Sequence, residues 1–445
     1  MFKRLLLNDL IAWKNSPNRK PLVLRGARQV GKTTLVKQFS SEFGRFISLN
    51  LEKQAHRDVF ETLSDIRQIV AAIFYTANQP HDKKSTLIFI DEIQNSPKAI
   101  ASLRYFYEEY PDLYVIAAGS LLETLLTDKI SFPVGRVEFL PIRPCSFVDF
   151  LSANGDTQSL ELLSDTPPPD FAHEKLSQLF RQFTLVGGMP EAIAEYAQNY
   201  DLVRVNKILS GLITTYIDDV EKYSKSDSAT NYIRHILKTG FAFSGQRIKF
   251  EGFGESNYKS REMGEAFKTL EKTFLLELIY PTTNYTIPLI PDLKKSPRLQ
   301  WLDVGLTNYL AGVQNDVFFS KQIDEVWKGT VAELIVGQEL IAAEKDIQTK
   351  RSFWVRQAKS SNAELDFVLN TNGLIIPVEV KLSAGSHLRS LHLFMEHAPH
   401  DLAVRIWSKK FELSEMILPN QKKVRLLNVP FYMSYFLKEI VKKYL

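Results

Sequence analysis

Cysteine is almost missing from this chain of 445 residues, Cys145 being the single one. That excludes an internal disulfide and a cysteine-rich zinc site, and it fits a reducing compartment. Long apolar runs are missing too, since none approaches the roughly 20 residues needed to span a bilayer. The eight histidines include no His-x-x-x-His and no Cys–His spacing suited to zinc. His387, His392, His397 and His400 cluster without an acid-rich companion set, so they read as surface or helix-packing residues. No serine sits in a Gly-x-Ser-x-Gly elbow. Residues 1–13 carry Lys3, Arg4 and Asp9 inside their apolar pattern, as in an amphipathic helix and unlike a signal peptide. The expectation is a cytoplasmic protein without a membrane partner, divided by its length into two to four domains.

What is present is sharper. An apolar stretch, Leu22-Val-Leu, leads into Gly26-Ala27-Arg28-Gln29-Val30-Gly31-Lys32-Thr33-Thr34 and then an amphipathic run. That is the P-loop order of strand, glycine-rich turn and helix N-terminus. Glycines let successive backbone N–H groups face phosphate oxygens, and the helix dipole favours the anion. In this pattern Lys32 reaches the β- and γ-phosphates of ATP, and the Thr33 hydroxyl ligates Mg²⁺. Some 60 residues on, Leu87-Ile-Phe-Ile runs into Asp91-Glu92. A continuous apolar run fits a strand covered on both faces of a parallel sheet, with its acids at the carboxyl end where ligands bind. Asp91 is then the Mg²⁺ carboxylate and Glu92 the base that polarises the attacking water. A third apolar run over 113–118 ends at Gly119-Ser120, which places Ser120 near the γ-phosphate or the water, or in a plain turn. Arg136, in a Gly-Arg turn, either stabilises charge on the transferred phosphoryl group or makes a structural ion pair.

These residues, Gly26 to Thr33, Phe89-Ile-Asp-Glu-Ile-Gln94, Ala118-Gly-Ser120 and Gly135-Arg136, resemble the AAA-type ATPase module of a large bacterial and archaeal family. In that family a C-terminal domain of unknown function, number 4143, usually follows. Leu185-Val-Gly-Gly-Met-Pro190, Tyr216-Ile-Asp-Asp-Val220, Trp301-Leu-Asp-Val-Gly305, Glu364-Leu-Asp-Phe367 and Pro377-Val-Glu-Val-Lys381 extend the likeness over nearly the whole chain. They identify the family without fixing an activity.

Beyond the proline-rich stretch 165–170 the text is mostly helical, with helices expected over 171–183, 191–198, 202–220, 231–239 and 258–276. A hairpin is expected over 276–301. Helices followed by a hairpin suggest a winged helix, which the resemblance also implies. Arg261, Lys268 and Lys272 share a helical face that either tracks a phosphate backbone or, interleaved with Glu262, Glu265 and Glu271, is an ordinary charged surface. Residues 401–445 hold nine Lys or Arg against four acids, a surplus above the +4 of the whole chain. Such a tail contacts nucleic acid or is simply solvated.

The last third carries a second constellation. A helix is expected over 325–343, then strands over 353–356, 363–369 and 374–381, with Asn370-Thr-Asn-Gly373 as a hairpin turn. Glu364 and Asp366 share one strand face, as do Glu379 and Lys381. The pattern resembles a PD-(D/E)xK nuclease core, with Asp366, Glu379 and Lys381 in the motif positions and Glu333 as the helical acid. It departs from that pattern at Glu364-Leu365, where a proline is expected. Two acids and a lysine around one point either bind Mg²⁺ for phosphodiester attack, form a cross-strand salt bridge, or sit on a docking scaffold.

The expected fold is α/β: a P-loop ATPase domain with a parallel sheet (1–164), a helical winged-helix-like domain (171–310), and a restriction-endonuclease-like domain (311–445). Three functions fit: an ATP-driven switch acting on DNA or a protein partner, an ATP-gated metal-dependent nuclease, or a scaffold that holds ATP without hydrolysing it.

Overall fold

The computed structural model describes every residue except 1, 81, 83, 120–131, 225, 313–328, 358–362 and 383–387. Ser120 and His387 therefore lie outside the described residues, as does the start of the helix expected from 325. The chain forms two compact units. One comprises 1–143 with 272–275 and 345–347, and the other 144–271, 276–344 and 348–445. Among the described residues no helix is long and apolar enough to cross a membrane.

The first unit is built on five parallel strands: β1 (Leu22–Arg25), β2 (Arg45–Asn50), β3 (Thr86–Asp91), β4 (Tyr114–Gly119) and β5 (Glu138–Pro141). Their order across the sheet is β2-β3-β4-β1-β5, and every neighbouring pair is parallel. The apolar runs are continuous because both faces are covered, and all of β3 is buried. On one face, Val23, Ile47, Ile88, Ile90, Val115 and Ala117 share a core with Val59, Phe60, Ile73 and Phe106 from helices Gln54–Glu61, Ile66–Thr76 and Pro97–Glu109. Helices Gln54–Glu61 and Ile66–Thr76 are separate, Asp65 accepting from the Arg67 amide to start the second. Near the other end of the unit, Trp13 of helix Leu7–Lys14 packs on Phe39 and Tyr114.

The second unit joins a helical region to eight strands. These are β6 (Leu276–Thr282), β7 (Arg298–Trp301), β8 (Ser352–Val355), β9 (Glu364–Thr371), β10 (Leu374–Val380), β11 (Leu402–Trp407), β12 (Glu412–Ile417) and β13 (Lys423–Pro430). They lie in the order β12-β13-β11-β10-β9-β8-β6-β7, with parallel and antiparallel pairs mixed. The expected hairpin exists, Leu276 standing opposite Trp301. It does not stand apart as a wing: β6 also pairs in parallel with β8, so the hairpin is one edge of the large sheet. The turn between β9 and β10 follows its sequence signal, with φ of 50° at Asn372 and 77° at Gly373.

The basic residues near the C-terminus are mostly tied down. Arg425 pairs with Asp401 at 2.7 Å, Lys438 with Glu344 at 2.9 Å, and Lys422 donates to the Met395 and Ala398 carbonyls at 2.8 and 2.6 Å. Arg405 is buried against Asn428. Arg261 pairs with Glu265 at 3.5 Å. Of the clustered histidines, His400 is buried on the Ile375 carbonyl and His397 packs at a tilt against Tyr285.

Within the same unit Glu339, on helix Thr330–Ala342, is fully buried and accepts from the Phe147 amide at the start of helix Phe147–Ala153. Burial pushes its carboxyl up to about 8, with a further upward push from Asp149. The folded state therefore holds a proton that the unfolded chain releases near its ordinary value, so this contribution to stability is present at low pH and lost as pH rises through about 8. The wild-type melting temperature is expected to fall between about pH 5 and about pH 8, and Glu339→Gln to flatten the upper part of that fall. Parallel melting curves for the two proteins would refute this.

Candidate nucleotide site

The turn between β1 and helix Lys32–Phe39 is fixed by close approach and by backbone sign. A Cβ on Gly26 would lie 2.2 Å from the Ile142 carbonyl oxygen, a backbone atom that cannot give way. Gln29 and Gly31 have φ of 63° and 89°, which bends the loop back on itself. Arg4, 6 % exposed, donates to the Val30 carbonyl at 2.8 Å and the Arg143 carbonyl at 2.9 Å, anchoring the far side of the loop.

The predicted residues meet here. Lys32 is buried, and its Nζ donates to the Gly26 and Ala27 carbonyls at 2.9 and 2.7 Å. The Thr33 hydroxyl donates to Asp91 Oδ2 at 2.8 Å, so the P-loop and the tip of β3 are joined through two oxygens. Asp91 Oδ1 takes the Glu92 amide at 3.1 Å. Glu92 itself turns the strand, with φ of 52°. Its side chain accepts from Gln94 and its carbonyl from Asn95. Asn50 is in register with Asp91 at the end of β2. Arg28 sits 4.0 Å from Glu52. Arg136 forms an ion pair with Glu108 at 3.0 Å.

Burial lowers the Lys32 ammonium to about 8, while Glu92 and Asp91 pull it upward. Burial is also the main cause that raises Asp91, offset by the Thr33 hydroxyl. A polyphosphate beside Lys32 restores its ordinary range, so binding of ATP is expected to take up about half a proton per site at pH 8. Titration calorimetry in buffers of different ionisation enthalpy reads this directly. The expectation fails if the heat at pH 8 is independent of buffer, or if Lys32→Arg leaves the dependence intact.

Thr33 and Asp91 offer adjacent hard oxygen donors, and the donor set suits Mg²⁺ completed by phosphate and water. Among the described residues no group of three or more His, Cys, Asp or Glu side chains is arranged to hold a metal ion unaided.

The second predicted constellation also assembles, but around a residue that sequence reading passed over. Asp366 on β9 takes the Val380 amide at 2.7 Å, and Lys381 lies 2.7 Å from Glu379. Arg298 of β7 sits among the acids, its Nη1 2.9 Å from Glu333 and 3.6 Å from Asp366, and its Nε 2.8 Å from Glu364. Its guanidinium lies 4.6 Å from the centre of the Phe353 ring. Burial, and then the charge of Asp366, push both Glu333 and Glu379 well above the ordinary carboxylate range. A guanidinium thus lies against Glu333 and Glu364 and 3.6 Å from the carboxylate of Asp366. Arg4 and Arg298 belong to none of the motifs, and Gln94 closes the stretch Phe89-Ile-Asp-Glu-Ile-Gln94 with no role assigned to it. Only the Gln94 position, two residues beyond Glu92, was close enough to a recognised acid to be found from sequence.

Comparison with known proteins matches three stretches of the chain. Residues 18–151 match the family model of an AAA domain, residues 177–317 that of a domain of unknown function (DUF8612), and residues 328–426 that of another (DUF4143). No curated protein matches significantly. Similar solved structures include a Walker-type ATPase of Pyrococcus abyssi, 17% identical over 70% of this chain and 96% of that one, with a TM-score of 0.44. A Thermotoga maritima RuvB variant is 14% identical over 65% and 89%, with a TM-score of 0.26. The Aeropyrum pernix Orc1 protein, solved in complex with DNA, is 12% identical over 69% and 90%, with a TM-score of 0.23. The chain thus carries an AAA-type P-loop domain followed by two domains of unknown function.

Proposed function

We propose that the chain is an ATP-hydrolysing molecular switch, in which the nucleotide state of the P-loop domain is passed to the C-terminal domains and acts on DNA or on a protein partner. The observation that carries this reading is the 2.8 Å hydrogen bond from Thr33 to Asp91 beside a buried Lys32. Bound Mg²⁺ would offset phosphate charge, with Thr33 and Asp91 as its protein ligands. Lys32 would exchange the Gly26 and Ala27 carbonyls for phosphate oxygens, at little desolvation cost because it is already out of water. Glu92 would accept a proton from the attacking water, its carboxylate held by Gln94 and its backbone carbonyl by Asn95. Ser120 and Arg136 are secondary candidates, for the γ-phosphate and for transition-state charge respectively.

The β9–β10 hairpin supports the nuclease-like reading, whereas the β6–β7 hairpin, joined to β8 at the edge of the large sheet, gives the winged-helix-like reading no wing of its own. Neither favours a DNA partner over a protein, because the basic residues that would meet phosphates are mostly engaged within the chain. The deciding measurement is ATP turnover with and without DNA. Turnover that rises with DNA supports a nucleic-acid partner. Bound ATP with no turnover would replace the switch by a scaffold.

A further inference from the structure

The acid cluster of the second unit has an occupant of its own. Three carboxylates, from helix Thr330–Ala342 (Glu333) and from β9 (Glu364 and Asp366), converge on one guanidinium. The fork is well matched, since Nη1 faces Glu333 at 2.9 Å while Nε lies 2.8 Å from Glu364. The Arg298 side chain is only 12 % exposed, and the ring of Phe353 lies 4.6 Å from its guanidinium. A divalent ion on the same carboxylates would stand close to the guanidinium in a poorly solvated site, where the like charges repel strongly. Next to it, Glu379 is 4 % exposed and one of its oxygens, Oε2, is buried without a hydrogen-bond partner. Its other oxygen holds Lys381 at 2.7 Å. The cluster is therefore furnished with Arg298 against Glu333, Glu364 and Asp366, with the more exposed Arg247 3.5 Å from Glu364, and with Lys381 against Glu379, and one acceptor oxygen is left over.

We propose that Arg298 is the resident cation of this cluster, bonded to Glu333 and Glu364 and standing 3.6 Å from the Asp366 carboxylate, so that the cluster takes a divalent ion only when the guanidinium is removed.

The test is Mn²⁺ binding to the full-length, nucleotide-free protein, read by the electron paramagnetic resonance signal of free Mn²⁺. Wild type and Asp366→Asn are expected to bind Mn²⁺ identically. Arg298→Met is expected to gain one Mn²⁺ per chain, and the double variant Arg298→Met with Asp366→Asn to lose it again. Mn²⁺ held by the wild type and lost in Asp366→Asn would overturn the proposal. So would an Arg298→Met protein with a native circular dichroism spectrum and no added Mn²⁺, since Arg298 would then be a salt-bridge partner and nothing more. Should Arg298→Met not fold, Arg298→Gln, which keeps hydrogen-bond donors, serves in its place. The comparison of wild type with Asp366→Asn needs no arginine variant and can overturn the proposal by itself.

Discussion

Glu92→Gln is expected to slow steady-state ATP hydrolysis by a factor on the order of 10²–10⁴ while leaving ATP binding intact. The residue follows a fully buried strand, so its position is set by the sheet. Glu92 adopts a left-handed turn, with φ of 52°, while Gln94 donates to its carboxylate and Asn95 to its backbone carbonyl. Glutamine keeps that shape and its hydrogen-bonding acceptor but cannot take a proton from water. Lys32→Ala is the companion, since it removes the cation that meets the phosphates and is expected to lose binding itself. Fluorescent-nucleotide titration beside a phosphate-release assay separates the two. A Glu92→Gln protein that turns over within a few-fold of wild type would remove Glu92 from the chemistry. One that no longer binds ATP would mean that Glu92 supports the loop instead.

Asp303→Ala is expected to cost about 3–5 kcal/mol of stability, because it strands several buried donors at once. Asp303 is wholly buried and accepts from the amides of Gly188 and Leu306 and from the Gln338 amide group. Burial raises its carboxyl to about 6, against those hydrogen bonds. The same knot explains two motifs that fix no activity. Gly187, with φ of 79°, would place a Cβ 2.7 Å from the Gly305 backbone, and a Cβ on Gly305 would meet the Val186 carbonyl oxygen at 2.4 Å. The Gly187-Gly188 and Asp303-x-Gly305 pairs are two halves of one packing contact. Trp301, stacked on Phe241 at 4.0 Å, is a built-in fluorescent reporter for urea unfolding. A loss below about 1 kcal/mol would show that the donors find other acceptors.

The nucleotide site was readable because its signals are local. A glycine spacing, an apolar strand with two terminal acids and a lysine each announce themselves within a few residues. The β9–β10 turn was readable for the same reason, since Asn372 and Gly373 tolerate the backbone sign it needs. Arg298 was not. Its partners lie up to 68 residues away in sequence, and ion pairing across distant strands leaves no period to detect. The pairing of β6 with β8 is likewise long-range, so the hairpin at 276–301 looked like a separate wing. The C-terminal lysines and arginines misled in the opposite direction: composition registers a charge surplus without recording that most of those cations are already bonded to the chain.

The β6–β7 edge bears on how this protein can be cut. The two matches to domains of unknown function meet between residues 317 and 328, whereas one sheet runs from β7 through β12 on both sides of that boundary. A fragment beginning at 311 would leave β8 as a raw margin, with unpaired backbone groups open to a neighbouring chain. It would also leave Glu333, Glu364 and Asp366 without their guanidinium. Such a piece would be prone to self-association and would acquire an artificial appetite for metal ions, so activities measured on it would describe the excision and not the intact polypeptide.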